Sequence, residues 1–274
     1  MKVFDDPKKL QKWCVERKLA GAKIALVPTM GCLHEGHLSL IRAAQKRGAD
    51  EIVVSIFVNP IQFGPNEDFD KYPRDEKSDL RTCKTSGATA VFFPMPSNMY
   101  ASDHSTYINE ELLSKGLCGA RRPGHFRGVC TVVAKLFNIV QPHFAMFGQK
   151  DFQQVQVIRR MVRDLNFDVK VFMASIVREP SGLALSSRNS YLSQEDREKA
   201  ANISRLLRSV REDERASEVK RRIITGLAKA GLKVDYVECV DASTLEDVSF
   251  SRRGSCVLVA AWCGATRLID NRII

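Results

Sequence analysis

Three absences bound what this 274-residue chain can be. Its eight cysteines (Cys14, Cys32, Cys83, Cys118, Cys130, Cys239, Cys256 and Cys263) include no C-x-x-C pair. Zinc-site spacing is therefore missing, and the thiols read as reduced, mostly buried small apolar groups. No apolar run reaches the roughly 18 residues of a membrane span, and the opening "MKVFDDPKKL" lacks the apolar stretch of a secretion signal. A cytoplasmic protein with no membrane partner is the expectation, and the Asn202-Ile203-Ser204 sequon then falls to chance. Nor does any segment interleave aromatics with Lys and Arg as a nucleic-acid stacking platform does, although the net charge is +10. That charge is spread along the chain without a basic tail, which suits small anionic substrates such as nucleotides.

What is present is a regular alternation. Apolar runs at 23–28, 51–58, 90–94, 143–148 and 168–177 read as buried strands. Helical spacing at 36–48, 75–87, 126–140 and 151–165 separates them. Alternation of this kind predicts βαβ units and an α/β fold with a parallel sheet over residues 1–177. Ligands of such sheets bind beyond the carboxyl ends of the strands, which directs attention to 29–37, 59–64 and 148–154. After Val177 the pattern changes to two amphipathic helices (193–210 and 214–231), the first opened by a Ser193 cap, followed by three short strands. Gly264 and Ala265 turn the last two strands into a hairpin. A separate small α+β domain is expected over 178–274.

"VPTMGCLHEGHLSLIRAA" (27–44) raises the sharpest chemical question. A strand ends at Pro28, a glycine-containing turn follows, and a helix opens near Gly36 with His34 and His37 at its mouth. Zinc is disfavoured, because the zincin motif needs its histidines four apart and here they are three apart. A lone histidine would more simply be a satisfied core residue. Two of them, flanked by Gly31 and Gly36 at a helix N-terminus, point to a phosphate site, with free helix amides and imidazole donors converging on an anion.

"TMGCLHEGH" resembles the T/H-x-G-H signature of the HIGH nucleotidyltransferase superfamily. "SIFVNPIQFGPNEDFDKYPR" (55–74), "RPGHFRGVCTVVAKLFNIV" (122–140), "FGQKDFQQ" (147–154) and "REPSGLALSSRNSYL" (178–192) together resemble the pantothenate synthetase (pantoate–β-alanine ligase) family, essentially end to end. The resemblance implies a Rossmann-like first domain and a C-terminal lid domain. It also implies ATP-dependent condensation of (R)-pantoate with β-alanine through a pantoyl adenylate, Mg²⁺ beside ATP, and a homodimer.

It further implies residue roles. His34, His37, Lys150 and Arg188 are the catalytic candidates. Met30, Gly31, Cys32, Leu33, Glu35, Gly36, Gly148, Gln149, Asp151, Val177, Leu185, Ser186 and Ser187 join them at ATP, with "LSSRN" standing for the KMSKS-type loop. Gln62, Gln154, Asn59, Arg122 and His125 are carried to pantoate and β-alanine, and Asp79 to the metal. Departures from the family pattern are Ser78 and Thr82, where some members carry metal-binding side chains, Gln149 and Cys118, each in place of Glu, and Leu185 in place of Met. Two rival readings are an adenylyltransferase acting on another carboxylate or nucleotide, and a non-enzymatic RNA-binding module.

Overall fold

The computed structural model describes residues 1–65 and 67–274; Asn66, inside the 55–74 motif, lies outside the described residues. The chain divides into two compact units, one of 1–148 with 154–174 and one of 149–153 with 175–274.

The first unit is built on a six-stranded parallel sheet. Its strands are β1 (Lys2–Phe4), β2 (Ile24–Thr29), β3 (Glu51–Ile56), β4 (Ala90–Phe92), β5 (Phe144–Gly148) and β6 (Lys170–Ala174), in the order β1-β4-β3-β2-β5-β6. The helices are α1 (Pro7–Leu19), α2 (Glu35–Lys46), α3 (Glu76–Thr85), the short α4 (Pro96–Met99) and α5 (Leu117–Arg121), α6 (His125–Val140) and α7 (Phe152–Asp164). The central strands are buried on both faces, as helix-covered parallel strands must be. Ala25 and Val27 pack with Leu40, Ile41 and Ala44 of α2 and with Cys83 of α3. Ile24 and Leu26, alternating with them, are fully buried too.

Strand order reverses between β2 and β5. The chain runs outward one way through β3 and β4 and the other way through β6, so β2 and β5 flank the topological switch point where such folds bind ligands. The loop after β2 is the histidine stretch, and β5 ends at Gly148.

The second unit pairs helices α8 (Gln194–Arg208) and α9 (Ala216–Lys229) with the antiparallel strands β8 (Lys233–Asp241), β10 (Ser255–Cys263) and β11 (Thr266–Ile273). A two-residue ribbon, β7 (Glu214–Arg215) with β9 (Phe250–Ser251), completes it. Val219, Ile223 and Leu227 of α9 close over Val257, Val259 and Ala261 of β10. Gly264, at φ +56°, makes the tight β10–β11 turn.

The apolar run at 168–177 ends as a strand at Ala174, and the unit boundary falls there, three residues before the end of the run. Helix α1 and strand β1 are additions to the elements the sequence pattern predicts. Among the described residues no helix is long and apolar enough to cross a membrane.

Candidate active site

The loop after β2 is shaped by two left-handed residues in succession, Gly31 at φ +87° and Cys32 at φ +49°. A Cβ on Gly31 would lie 2.9 Å from Asp79 Oδ2 and 3.1 Å from Ile56 Cγ2, so glycine is demanded by space as well as by φ. The turn is pinned from α3. Asp79 Oδ2 accepts from the Cys32 amide at 2.9 Å and Oδ1 from the Leu33 amide at 2.7 Å. Thr29 Oγ1 donates to the Ser55 carbonyl at 2.7 Å and accepts from the Gly31 amide at 3.3 Å.

His34 is the N-cap of α2. Its Nδ1 accepts from the Gly36 amide at 3.1 Å, while His37 Nδ1 accepts from the His34 amide at 3.3 Å. The two rings lie 4.1 Å apart at 33°. This is a capping box built from two imidazoles. Each cap needs an unprotonated Nδ1, so the neutral rings carry their proton on Nε2. The amides of Cys32, Leu33, His34, Gly36 and His37 are all bonded within the chain, the last to the His34 carbonyl at 2.8 Å. The expectation of free helix amides is therefore corrected at Gly36 and His37, whose amides bond within the chain.

A second cluster lies around the Pro60–Gln62 turn. Asn59 and Gln62 are buried, and Asn59 Nδ2 donates to Gln62 Oε1 at 3.0 Å and to the Gly128 carbonyl at 3.1 Å. Gln62 Nε2 donates to Met30 Sδ at 3.1 Å, which ties this turn to the β2 loop. Arg122 grips Glu67 through two bonds of 2.8 and 2.6 Å and reaches His125 Nε2 at 3.0 Å. Arginine only donates, so His125 Nε2 accepts and its Nδ1–H donates to the Gln62 carbonyl, 3.0 Å away. Arg122 and His125 thus stand behind Gln62. Gln154 lies half-buried in the first turn of α7.

In the second unit, the turn Gln149–Asp151 is held by Asn271 of β11. Asn271 Nδ2 donates to the carbonyls of Gln149 (2.8 Å) and Lys150 (3.1 Å), and its Oδ1 accepts from Gln149 Nε2 (3.1 Å). Lys150 Nζ lies 3.5 Å from Asp151 Oδ1. The 178–185 hairpin is tied by a bidentate pair between Arg178 and buried Asp270, at 2.6 and 2.9 Å. The Val177 carbonyl accepts from the Leu185 amide at 3.0 Å. Ser186 Oγ accepts from the Arg188 amide at 3.3 Å, opening the 3₁₀ turn Ser187–Tyr191. Asn189 Nδ2 donates to Glu179 (2.9 Å) and to the Ala184 carbonyl (3.1 Å), and Arg197 closes on Glu179 and the Asn189 carbonyl.

Sequence reasoning does not reach Asp79, Asn189 and Asn271 in these supporting roles. Asp79 and Asn271 act on loops far from them in the chain, Asn189 ties its own loop to Ala184 and Glu179, and only Asp79 carried a signal, an acid in the first turn of a helix. Both of its oxygens, expected above on a metal, are engaged by amides. Among the described residues no group of three or more His, Cys, Asp or Glu side chains is arranged to hold a metal ion.

A parallel sheet with paired imidazoles and a buried amide cluster at its strand ends makes this an α/β protein whose polar chemistry gathers where such folds bind ligands. The chain belongs to the pantoate–β-alanine ligase family, whose profile matches residues 2–273. It is 51% identical to a pantothenate synthetase of Thermotoga petrophila, over the whole of both chains. It is 54% identical to one of Clostridium novyi, over 96% of this chain and 95% of that one. The crystal structure of pantothenate synthetase from Thermus thermophilus superposes with a TM-score of 0.90 at 40% identity, covering 99% of each chain. A Francisella tularensis pantoate–β-alanine ligase, crystallised with βγ-ATP and β-alanine, gives 0.84 at 34% identity over 100% and 97% of the two chains.

Proposed function

We infer that this chain joins (R)-pantoate to β-alanine at the expense of ATP, releasing AMP and pyrophosphate. The observation that carries this is a family match running from residue 2 to residue 273, with both the histidine loop and the "SSRN" loop inside it. The chemistry has two steps. A pantoate carboxylate oxygen attacks the α-phosphorus of ATP and pyrophosphate leaves, giving pantoyl adenylate. The amine of β-alanine then attacks the acyl carbon, the new amide forms, and AMP leaves with the carboxylate oxygen.

The first step needs donors and positive charge where charge develops on phosphate oxygens. Nε2–H groups on His34 and His37 are suited to that, since their Nδ1 atoms are occupied as caps. Lys150 and Arg188 supply permanent cations, Arg188 with a fork that matches phosphate oxygens. Ser186 and Ser187 add hydroxyls. Met30, Gly31, Gly148, Asp151 and Val177 are proposed along the nucleoside and phosphates. Gln62 and Gln154, with Asn59 as helper, are proposed for pantoate, because neutral amides bind hydroxyl and carboxylate oxygens without quenching the nucleophile. Arg122 and His125 act from behind Gln62.

Magnesium spreads phosphate charge when bound to ATP. Among the described residues no group of three or more His, Cys, Asp or Glu side chains could cage it, and because each Asp79 oxygen accepts an amide, we propose loop anchoring as the role of Asp79. A cytoplasmic homodimer completes the reading, and analytical ultracentrifugation checks the dimer through its sedimenting mass. The test of function is ATP–pyrophosphate exchange with candidate acids. Exchange that requires pantoate is the expected result. Exchange with another acid and none with pantoate would instead establish the related-adenylyltransferase reading.

A further inference from the structure

The hydrogen bonds around Asn59 fix which way round each amide sits. The Gly128 carbonyl can only accept, so the Asn59 atom 3.1 Å from it is Nδ2. Asn59 Oδ1 therefore faces Tyr100, whose hydroxyl donates to it at 2.8 Å. The other hydrogen of Asn59 Nδ2 points at Gln62, so the facing Gln62 atom, at 3.0 Å, is Oε1. What remains is Gln62 Nε2, with one hydrogen on Met30 Sδ at 3.1 Å and a second to give. The Gly128 contact is itself demanding. A Cβ there would fall 2.4 Å from the Ile61 carbonyl oxygen and 2.6 Å from Gln62 Cα, so only glycine lets α6 come this close to the turn.

Tyr100 is well held for such a task. It caps the C-terminal end of α4, and its ring sits 6.2 Å from Phe57 and 4.9 Å from His104, with the Lys135 ammonium 5.6 Å from its centroid. Burial pushes its pKa up, so the hydroxyl keeps the proton it donates.

We propose that Tyr100 is a positioning residue that, through Asn59, locks Gln62 as a hydrogen-bond donor toward an oxygen of the carboxylic acid substrate. This rests on Gln62 contacting pantoate, as argued above. Without the phenol hydroxyl, the Asn59 Oδ1 loses its donor and the pair of amides is free to turn.

Steady-state kinetics on the full-length enzyme tests this with Tyr100→Phe, Gln62→Ala, Gln62→Glu and the Tyr100→Phe/Gln62→Ala double variant. Tyr100→Phe should raise the KM for pantoate about fivefold, the scale of one hydrogen bond, with the KM for ATP changed less than about twofold. Because Tyr100 acts through Gln62, it should add nothing further in the Gln62→Ala background. Gln62→Glu keeps the acceptor facing Asn59 but removes the donor, so it should raise the pantoate KM at least as much as Gln62→Ala. That variant reads donor direction even if Tyr100→Phe fails to fold. A wild-type pantoate KM in Gln62→Glu overturns the donor assignment. Full additivity of Tyr100→Phe on Gln62→Ala, or an equal rise in both KM values, overturns the positioning role. A wild-type pantoate KM in Gln62→Ala would be a different failure, that of the pantoate contact itself.

Discussion

Replacing Asp79 with asparagine separates two jobs for one carboxylate. The side chain is 3% exposed, and its two oxygens hold the Cys32 and Leu33 amides at 2.9 and 2.7 Å. Asparagine keeps one acceptor and turns an NH₂ group onto the other amide. One charge-assisted hydrogen bond is lost and two donors face each other, together about 2 kcal/mol at the loop. The whole fold should lose less than that. Burial raises the Asp79 pKa, outweighing the two amides that lower it, so the charged form is costly where it sits. A carboxyl with a folded pKa above its unfolded one stabilises fully below the unfolded value, and that stabilisation is lost as pH rises through the folded pKa. Asparagine does not titrate there. The melting temperature of wild type minus that of Asp79→Asn should therefore be largest in acid and shrink toward neutrality.

Activity should respond more than stability. A histidine loop released from α3 no longer presents its imidazoles in one geometry, and about 2 kcal/mol corresponds to a fall of roughly 30-fold in kcat/KM for ATP. Pantoate-dependent ATP–pyrophosphate exchange measures this directly. Excess Mg²⁺ should not restore the variant, because the lost partner is an amide pair. Wild-type exchange in Asp79→Asn refutes the anchor, and recovery at high Mg²⁺ refutes it in favour of metal ligation.

Three further outcomes can be checked with the same assay and a melting curve. His37→Ala should slow adenylation by about 10²-fold, the usual cost of losing a donor at developing charge, and an unchanged rate removes His37 from the reaction. Arg188→Ala should lose exchange while the protein still folds, since its side chain is proposed for phosphate; unfolding instead makes it structural. Asn271→Ala should destabilise the second unit by about 2–3 kcal/mol, because two carbonyls and the Gln149 amide lose a partner that is 2% exposed. A melting temperature equal to wild type would show that the 149–151 turn does not depend on it.

The strands and helices that are legible in the sequence share one property, that burial writes a period into them. β3 is buried at every position, and α2 buries Leu40, Ile41 and Ala44 at helical spacing. α1 escapes a reading by period because only Leu10, Trp13 and Cys14 of its 13 residues are buried among many charges. Its cap is nevertheless readable: Asp6 accepts from the Lys8 amide at 2.7 Å, with Pro7 in the first helical position. Site residues bearing distinctive chemistry at strand ends can be singled out in sequence. Their supports cannot, because Asp79 is 46 residues from Leu33 and Asn271 is 122 from Gln149, and no local pattern encodes such a pairing. The correction at the histidine loop has two sources: the two imidazoles take the Gly36 and His34 amides locally, whereas only the fold brings the carboxylate that takes the Cys32 and Leu33 amides.

That correction changes what the two histidines can be asked to do. His34 serves the helix through Nδ1, which accepts the Gly36 amide, and it is proposed to serve phosphate through Nε2. The two roles can be pulled apart with asparagine, whose side-chain oxygen is a strong N-cap acceptor but which has nothing at the Nε2 position. His34→Asn should keep the melting temperature within about two degrees of wild type, while His34→Ala should cost about 1 kcal/mol of stability. If the distal nitrogen matters, both variants lose exchange to a similar extent, although only the alanine variant loses the cap. An asparagine variant with full exchange would reduce His34 to a helix cap and leave His37 as the one histidine of the pair at phosphate.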